Sequence, residues 1–159
     1  VSGWTDAGAI GAEGVEELRA LVAGEVVAPG DGDYDAARRV WNWMVDRRPG
    51  AVVRVADERD VATAVRFAAD NGILLAVRGG GHSVAGQGTC DAGMVIDLGR
   101  IDGVEVDDGS GLVRAGGGCL LRDGNWTIAR VAHPGVFSVD ADFSLGGAWN
   151  AMTGAKKTC

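Results

Sequence analysis

Ile73-Leu74-Leu75-Ala76-Val77-Arg78-Gly79-Gly80-Gly81-His82-Ser83 joins a short apolar run to three consecutive glycines and a histidine. The apolar run reads as a buried strand, Ile73 to Val77, that feeds directly into the glycine loop. Glycine lets the main chain take positive φ and turn successive N–H groups toward an anion, and without side chains the backbone can be approached closely. The segment therefore suits a cradle for a phosphorylated cofactor with an imidazole beside it. A glycine-rich surface turn with a solvated histidine fits the hexapeptide equally well, so its neighbours decide.

Upstream, Val52 to Val55 reads as a short buried strand, and Asp57 caps a helix that carries Val61, Val65 and Ala68 on one face. Asn71-Gly72 supplies the stop. Downstream, Met94 to Leu98 is a third apolar strand, so the region reads as β-α-β-loop-β, parallel where the helix crosses between strands. In open α/β sheets ligands gather at the carboxyl ends of strands, which is where Arg78 to Ser83 falls.

Beyond residue 100, Val104 to Val106, the turn Asp107-Asp108-Gly109-Ser110 and Leu112 to Ala115 read as an antiparallel hairpin, followed by a second glycine run, Gly116-Gly117-Gly118. Cys119 to Arg130 has helical spacing at Leu120, Leu121 and Ile128, interrupted by Gly124 and Asn125. Residues 132 to 159 are loop-rich. At the other end, Val15, Leu18, Leu21 and Val22 predict a helix over 13 to 23, and Pro29-Gly30-Asp31-Gly32-Asp33 breaks it. A second helix is expected from an Asp33 cap, with Tyr34, Ala37, Val40, Trp41 and Met44 on one face until Pro49 ends it. Trp41 and Trp43 are read as packing residues. The fold class is α+β: an α/β first part with a small parallel sheet, then a partly antiparallel second part, with a boundary between residues 47 and 48 that sets off an N-terminal helical segment.

Composition narrows the function classes. The 159 residues are 47% hydrophobic, enough for one domain with a core. Glycine takes 27 positions, far above a usual share of about 7%, with no collagen-like period, so it serves tight turns and close approaches. A net charge of −7 argues against a general nucleic-acid binder. Arg38, Arg39, Arg47, Arg48 and Arg54 form a local basic cluster, read as solvated helix and strand ends rather than a polyanion site. Cys90, Cys119 and Cys159 match neither a disulfide framework nor zinc-ligand spacing, and no metal site is expected. No apolar run approaches the roughly 18 residues of a membrane span, and no secretory leader is visible. A soluble protein of a reducing, cytoplasmic compartment is expected.

Other chemistries are not supported. The glycines at 79, 80, 81, 86 and 88 never meet the GxGxxG spacing of a Rossmann nicotinamide site. Gly154-Ala155-Lys156-Lys157-Thr158 has the wrong spacing for a Walker A loop. A hydrolase built on Ser83 or Ser138 lacks a GxSxG elbow.

Taken together, RGGGHS at 78 to 83, Gly86-Gln87-Gly88, Val95-Ile96-Asp97-Leu98 and Trp41-Asn42 through Asp46-Arg47-Arg48-Pro49 resemble one family. It is the FAD-linked oxidases of the vanillyl-alcohol oxidase and p-cresol methylhydroxylase superfamily, in the berberine-bridge-enzyme-like branch. The resemblance spans residues 13 to 159 and is tightest over 36 to 119. It implies a PCMH-type FAD-binding domain over 48 to 159, incomplete at its C-terminus, with the cofactor between its two parts. Arg78, Gly79, Gly80, Gly81, His82 and Ser83 match the family's pyrophosphate loop, and Gly86, Gln87, Gly116, Pro134, Gly135, Ser138, Gly146 and Gly147 complete the implied FAD site. His82 matches the residue that in this branch is commonly bonded to the flavin 8α carbon; noncovalent FAD beside a merely polar His82 is the alternative. The activity implied is hydride transfer from a substrate C–H to flavin N5, with molecular oxygen as the reoxidant and a small-molecule substrate. No catalytic residue is assigned, because the family's bases and substrate contacts come largely from beyond residue 159. A flavin-binding remnant without turnover is the competing reading.

The sequence departs from the family in places. Phe137 stands near the place of the cysteine that makes a second flavin bond in some members, so no second bond is expected, and Cys119 is read as a packing residue at a helix start. Ser138 to Ala148 is shorter than the family's glycine-rich segment and carries Asp140 and Asp142, whose charges oppose a nearby anion.

Overall fold

The computed structural model describes residues 8–107 and 112–120. Its elements are α1 (Ala12–Leu21), β1 (Glu25–Val27), α2 (Tyr34–Ala37), β2 (Ala51–Arg54), α3 (Glu58–Asp70), β3 (Leu75–Arg78), β4 (Met94–Asp97), β5 (Val104–Asp107) and β6 (Leu112–Ala115). The first four strands form one sheet in the order β1-β2-β4-β3, while β5 and β6 pair as an antiparallel ribbon. Strands β2, β4 and β3 are parallel, and β1 adds antiparallel to the β2 edge. The fold is α+β, as expected from the sequence. The register sets Val52, Val95 and Ala76 side by side, and Arg54, Asp97 and Arg78 at the carboxyl ends.

Both faces of this sheet are covered, which is why its strands read as continuous apolar runs. Ala51, Val53, Met94 and Ile96 point to the face covered by α1 and α3, where Leu18, Ala64 and Phe67 pack. Val52, Val95 and Ala76 point to the other, against Tyr34, Ala37 and Cys90. Residues on both sides of position 47 thus contribute to one core. Strand β1 was not foreseen: three residues are too few to show alternation, and its identity comes from pairing with β2.

Helix α3 starts where its cap predicts, since the Asp57 carboxylate accepts the N–H groups of Arg59 at 2.8 Å and Asp60 at 3.2 Å. It ends at Asn71, and Gly72 follows with φ +62°. Its buried stripe runs through Asp60, Ala64, Phe67 and Ala68 with Val61 packed beside it, so the sheet contacts a face centred on Ala64 and Val65 stays exposed.

The expected helix from Asp33 to Pro49 is not formed beyond Ala37. Tertiary partners take the groups a longer helix would use. The Asp33 carboxylate accepts from Arg54 at 2.6 Å instead of capping. The carbonyls of Ala37 and Arg39 accept from the Arg78 guanidinium at 2.7 and 3.1 Å, and the Trp41 N–H donates to Gly81 O at 3.2 Å. Residues 38 to 48 therefore run as a strap, and Trp41, Trp43 and Met44 are exposed rather than packed.

Asp60 ties α3 to the turn between α1 and β1. Its buried carboxylate accepts the N–H groups of Ala23, Gly24 and Ala56, each at 2.8 Å. Burial pushes its pKa up, but the three N–H bonds outweigh that and hold it below the usual carboxylate value. A depressed folded pKa contributes stability that is present above the unfolded value and is lost as pH falls through the folded one. Asp60→Asn is expected to lower stability near neutral pH by about 1–3 kcal/mol. Urea denaturation at several pH values should show that gap narrowing below the ordinary carboxylate range of about pH 4.

Candidate functional site

The glycine loop leaves the carboxyl end of β3 and lies main chain to main chain against the second glycine run. A Cβ placed on Gly79 would come within 2.6 Å of Gly117 O, so no side chain fits between the two runs. Gly81 sits at φ +72°, in the left-handed region that favours glycine. Part of the glycine excess is thus required by packing before any ligand is considered.

Clefts open on both sides of this bridge. One, of about 600 Å³, is lined by Val77 through Ser83, Gln87, Gly88, Ala115 to Gly117 and Cys119. The other, of about 380 Å³, runs past Arg39, Val40, Trp41, the same three glycines, Asp97, Gly99, Asp102, Gly118 and Leu120. The first cleft brings together Arg78, Gly79, Gly80, Gly81, His82, Ser83, Gln87 and Gly116 of the residues expected from sequence. Gly86 does not line it; at φ +71° it packs on Val45, whose Cγ1 would lie 2.6 Å from an added Cβ. Pro134, Gly135, Ser138, Gly146 and Gly147 lie outside the described residues, as do Phe137, Asp140 and Asp142.

Arg78 lines the cleft, but its guanidinium points into the protein. Besides the two carbonyls above, it donates to Asp97 Oδ2 at 2.5 Å, and the side chain is buried. Ser83 Oγ accepts the Gln87 N–H at 3.1 Å, and Gly86 N donates to Ser83 O at 3.0 Å, which closes the turn after the histidine. His82 is half-buried, with Nδ1 sealed from solvent and without a hydrogen-bond partner among the described residues.

The strap holds the loop from the other side. Asn42 Nδ2 donates to Val84 O at 2.8 Å, and Arg47 Nη1 donates to Thr89 O at 2.7 Å and Gly86 O at 3.2 Å. Arg38 is buried and pairs with Asp35 and Asp46, which holds both carboxyls below their usual pKa. Arg54 pairs with Glu25 and Asp33. The basic cluster is only in part a set of solvated ends: Arg38, Arg47 and Arg54 are bonded into the scaffold, whereas Arg39 and Arg48 are exposed, Arg39 lying over the Trp43 ring at 5.1 Å. These supporting roles were missed because Trp41-Asn42 and Asp46-Arg47-Arg48-Pro49 carry no local chemistry; only their place in a wider pattern marked them. Cys119 is buried, and its Sγ donates to Gly103 O at 3.5 Å. Cys90 is also buried, which pushes its thiol up.

A small parallel sheet with a glycine bridge at its carboxyl edge and an adjoining antiparallel ribbon is the architecture of a PCMH-type cofactor domain. The chain belongs to the FAD binding domain family, which it matches over residues 49–158. It is similar to the (R)-6-hydroxynicotine oxidase of Paenarthrobacter nicotinovorans, at 37% identity over 102 residues, 64% of this chain and 22% of that protein. The crystal structure of 6-hydroxy-D-nicotine oxidase from Arthrobacter nicotinovorans superposes with a TM-score of 0.66 at 35% identity, over 69% of this chain and 24% of that one. Glucooligosaccharide oxidase from Acremonium strictum, described with a 6-S-cysteinyl, 8α-N1-histidyl FAD, gives 0.64 at 25% identity, over 71% and 25%. The chain thus spans about a quarter of the length of these relatives. Among the described residues no helix is long and apolar enough to cross a membrane.

The residues present fit FAD, since Gly79, Gly80 and Gly81 line both clefts with main chain alone and a ligand can approach that backbone closely. Packing also requires a glycine at position 80, where a Cβ would lie 2.8 Å from Leu120 Cδ2 and 2.9 Å from His82 Nδ1. Replacing Arg78 by alanine removes the fork that joins strap, β3 and β4 and leaves the Asp97 carboxylate without its counter-ion, held among the described residues by the Gly99 N–H alone. Arg78→Ala is expected to cost about 3–5 kcal/mol in chemical denaturation, the scale for breaking one side of a buried ion pair.

Proposed function

We propose that this chain is the cofactor-holding part of an FAD-dependent oxidoreductase, with FAD seated on the Gly79–Gly81 bridge and tethered through His82. The observation that carries this reading is the bridge itself: bare main chain, flanked by clefts, with an imidazole on its first cleft. Main-chain N–H groups of Gly79 to Ser83 would bind the diphosphate, as successive N–H groups do in anion nests. Gln87 and Gly116 line the same cleft and would border the ring system. Pro134, Gly135, Ser138, Gly146 and Gly147 are proposed to complete the site on the strength of the family pattern alone. Bound FAD would supply a two-electron acceptor for a hydride from a substrate C–H, with dioxygen as the final acceptor. The histidyl linkage described for the glucooligosaccharide oxidase supports His82 as the attachment point.

A second reading is FAD held by this domain without turnover. The two are separated by measuring hydrogen peroxide release with candidate substrates after the flavin content has been established. For the tether, acid precipitation is expected to leave flavin fluorescence in the protein pellet. In His82→Ala the pellet should be colourless, while visible absorbance before acid still reports bound FAD. Complete release of flavin from the unaltered protein would remove the tether from the reading and leave FAD binding standing.

A further inference from the structure

The imidazole of His82 lacks the usual means of orientation. A reactive histidine commonly has one ring nitrogen fixed by a carboxylate or carbonyl, which sets both tautomer and direction. Here Nδ1 is buried with no hydrogen-bond partner among the described residues. What stands beside the ring is Trp41. The two ring centroids are 6.3 Å apart and the planes are tilted by 46°, within the range of about 4.5–7 Å over which aromatic pairs interact.

Trp41 is not there as core. The residue is 60% exposed, so folding gains little from it. Its main chain is nonetheless held to the histidine's own loop: the Trp41 N–H donates to Gly81 O at 3.2 Å, and the next residue, Asn42, reaches Val84 O at 2.8 Å. These two bonds bracket His82 and keep the indole in register with the imidazole. Gly80 allows this arrangement, since a side chain there would meet Nδ1.

We propose that Trp41 is the positioning residue for His82, holding the imidazole in the orientation from which it bonds to the flavin. This rests on the reading of His82 as the tether. In that step an imidazole nitrogen loses its proton and forms a bond to the 8α carbon, and the carbon loses one proton. The two electrons released pass through the ring system to dioxygen, which leaves with both protons as hydrogen peroxide. The imidazole must meet the carbon along one direction, and a tilted ring alongside limits its rotation.

The test follows attachment and binding separately. The protein, Trp41→Ala, Trp41→Phe and His82→Ala are prepared without flavin and mixed with FAD in air. Total bound FAD is read by absorbance after gel filtration, and attached FAD by acid-stable fluorescence over time. Trp41→Ala is expected to bind FAD close to the unaltered level but to attach it about tenfold more slowly or worse, the scale for a misdirected reacting group. Trp41→Phe, which keeps an aromatic face, is expected to restore most of the rate. Attachment by Trp41→Ala at the unaltered rate overturns the proposal. So does loss of bound and attached FAD in equal proportion, because that marks a structural role. If Trp41→Ala does not fold, Trp41→Leu takes its place, with bulk but no ring, and undiminished attachment there is equally fatal. Should the unaltered protein attach no flavin, the tether fails and this inference with it. Attachment that is lost in His82→Ala and normal in Trp41→Ala removes this inference alone.

Discussion

One guanidinium holds three parts of the molecule in place. Arg78 is the last residue of β3, and its fork reaches Asp97 at the end of the neighbouring strand, the carbonyl of Ala37 at the end of α2 and that of Arg39 in the strap. A lysine ammonium could not match that geometry, since only a planar fork serves three acceptors in fixed directions. The glycine bridge begins at the next residue. Its position is therefore set by the sheet on one side and by the strap on the other.

Because the Arg78 side chain is buried and turned to acceptors inside the protein, the bridge meets a ligand with main chain rather than with the arginine's charge. That is consistent with an acidic chain that is similar to FAD proteins. Charge complementarity need not come from a basic surface when aligned N–H groups supply the partial positive charge. Arg38, Arg47 and Arg54 likewise satisfy carbonyls and carboxylates of the scaffold, and their contribution is geometric.

What could be read from sequence divides along the same line. The strands at 52–55, 73–77 and 94–98, the Asp57 cap and the hairpin after 103 were legible because runs, caps and turns are local signals. The strand order was not, because insertion of β4 between β2 and β3 depends on pairings across the chain. The strap was misread as helix because Tyr34, Ala37, Val40, Trp41 and Met44 do have helical spacing; what unwinds it is competition from Arg78 and Gly81 for its backbone groups. At the site, the glycine and histidine cluster was legible as a contiguous motif. The exposed aromatic and the asparagine that brace it were not, since nothing in their own neighbourhood in sequence speaks of a loop some forty residues away.

The order β2-β4-β3 has a consequence for how the molecule is made. When β3 leaves the ribosome its strand partner has not been synthesised, and the helix between β2 and β3 spans a slot one strand wide. Only when β4 arrives and threads that slot does β3 gain a ladder and β2, already paired with β1, gain its second. The glycine loop is the tether that delivers β4, so its length sets the reach of the last strand to enter the sheet. Any lengthening or shortening of it would be felt first during folding, as a mispaired or empty slot.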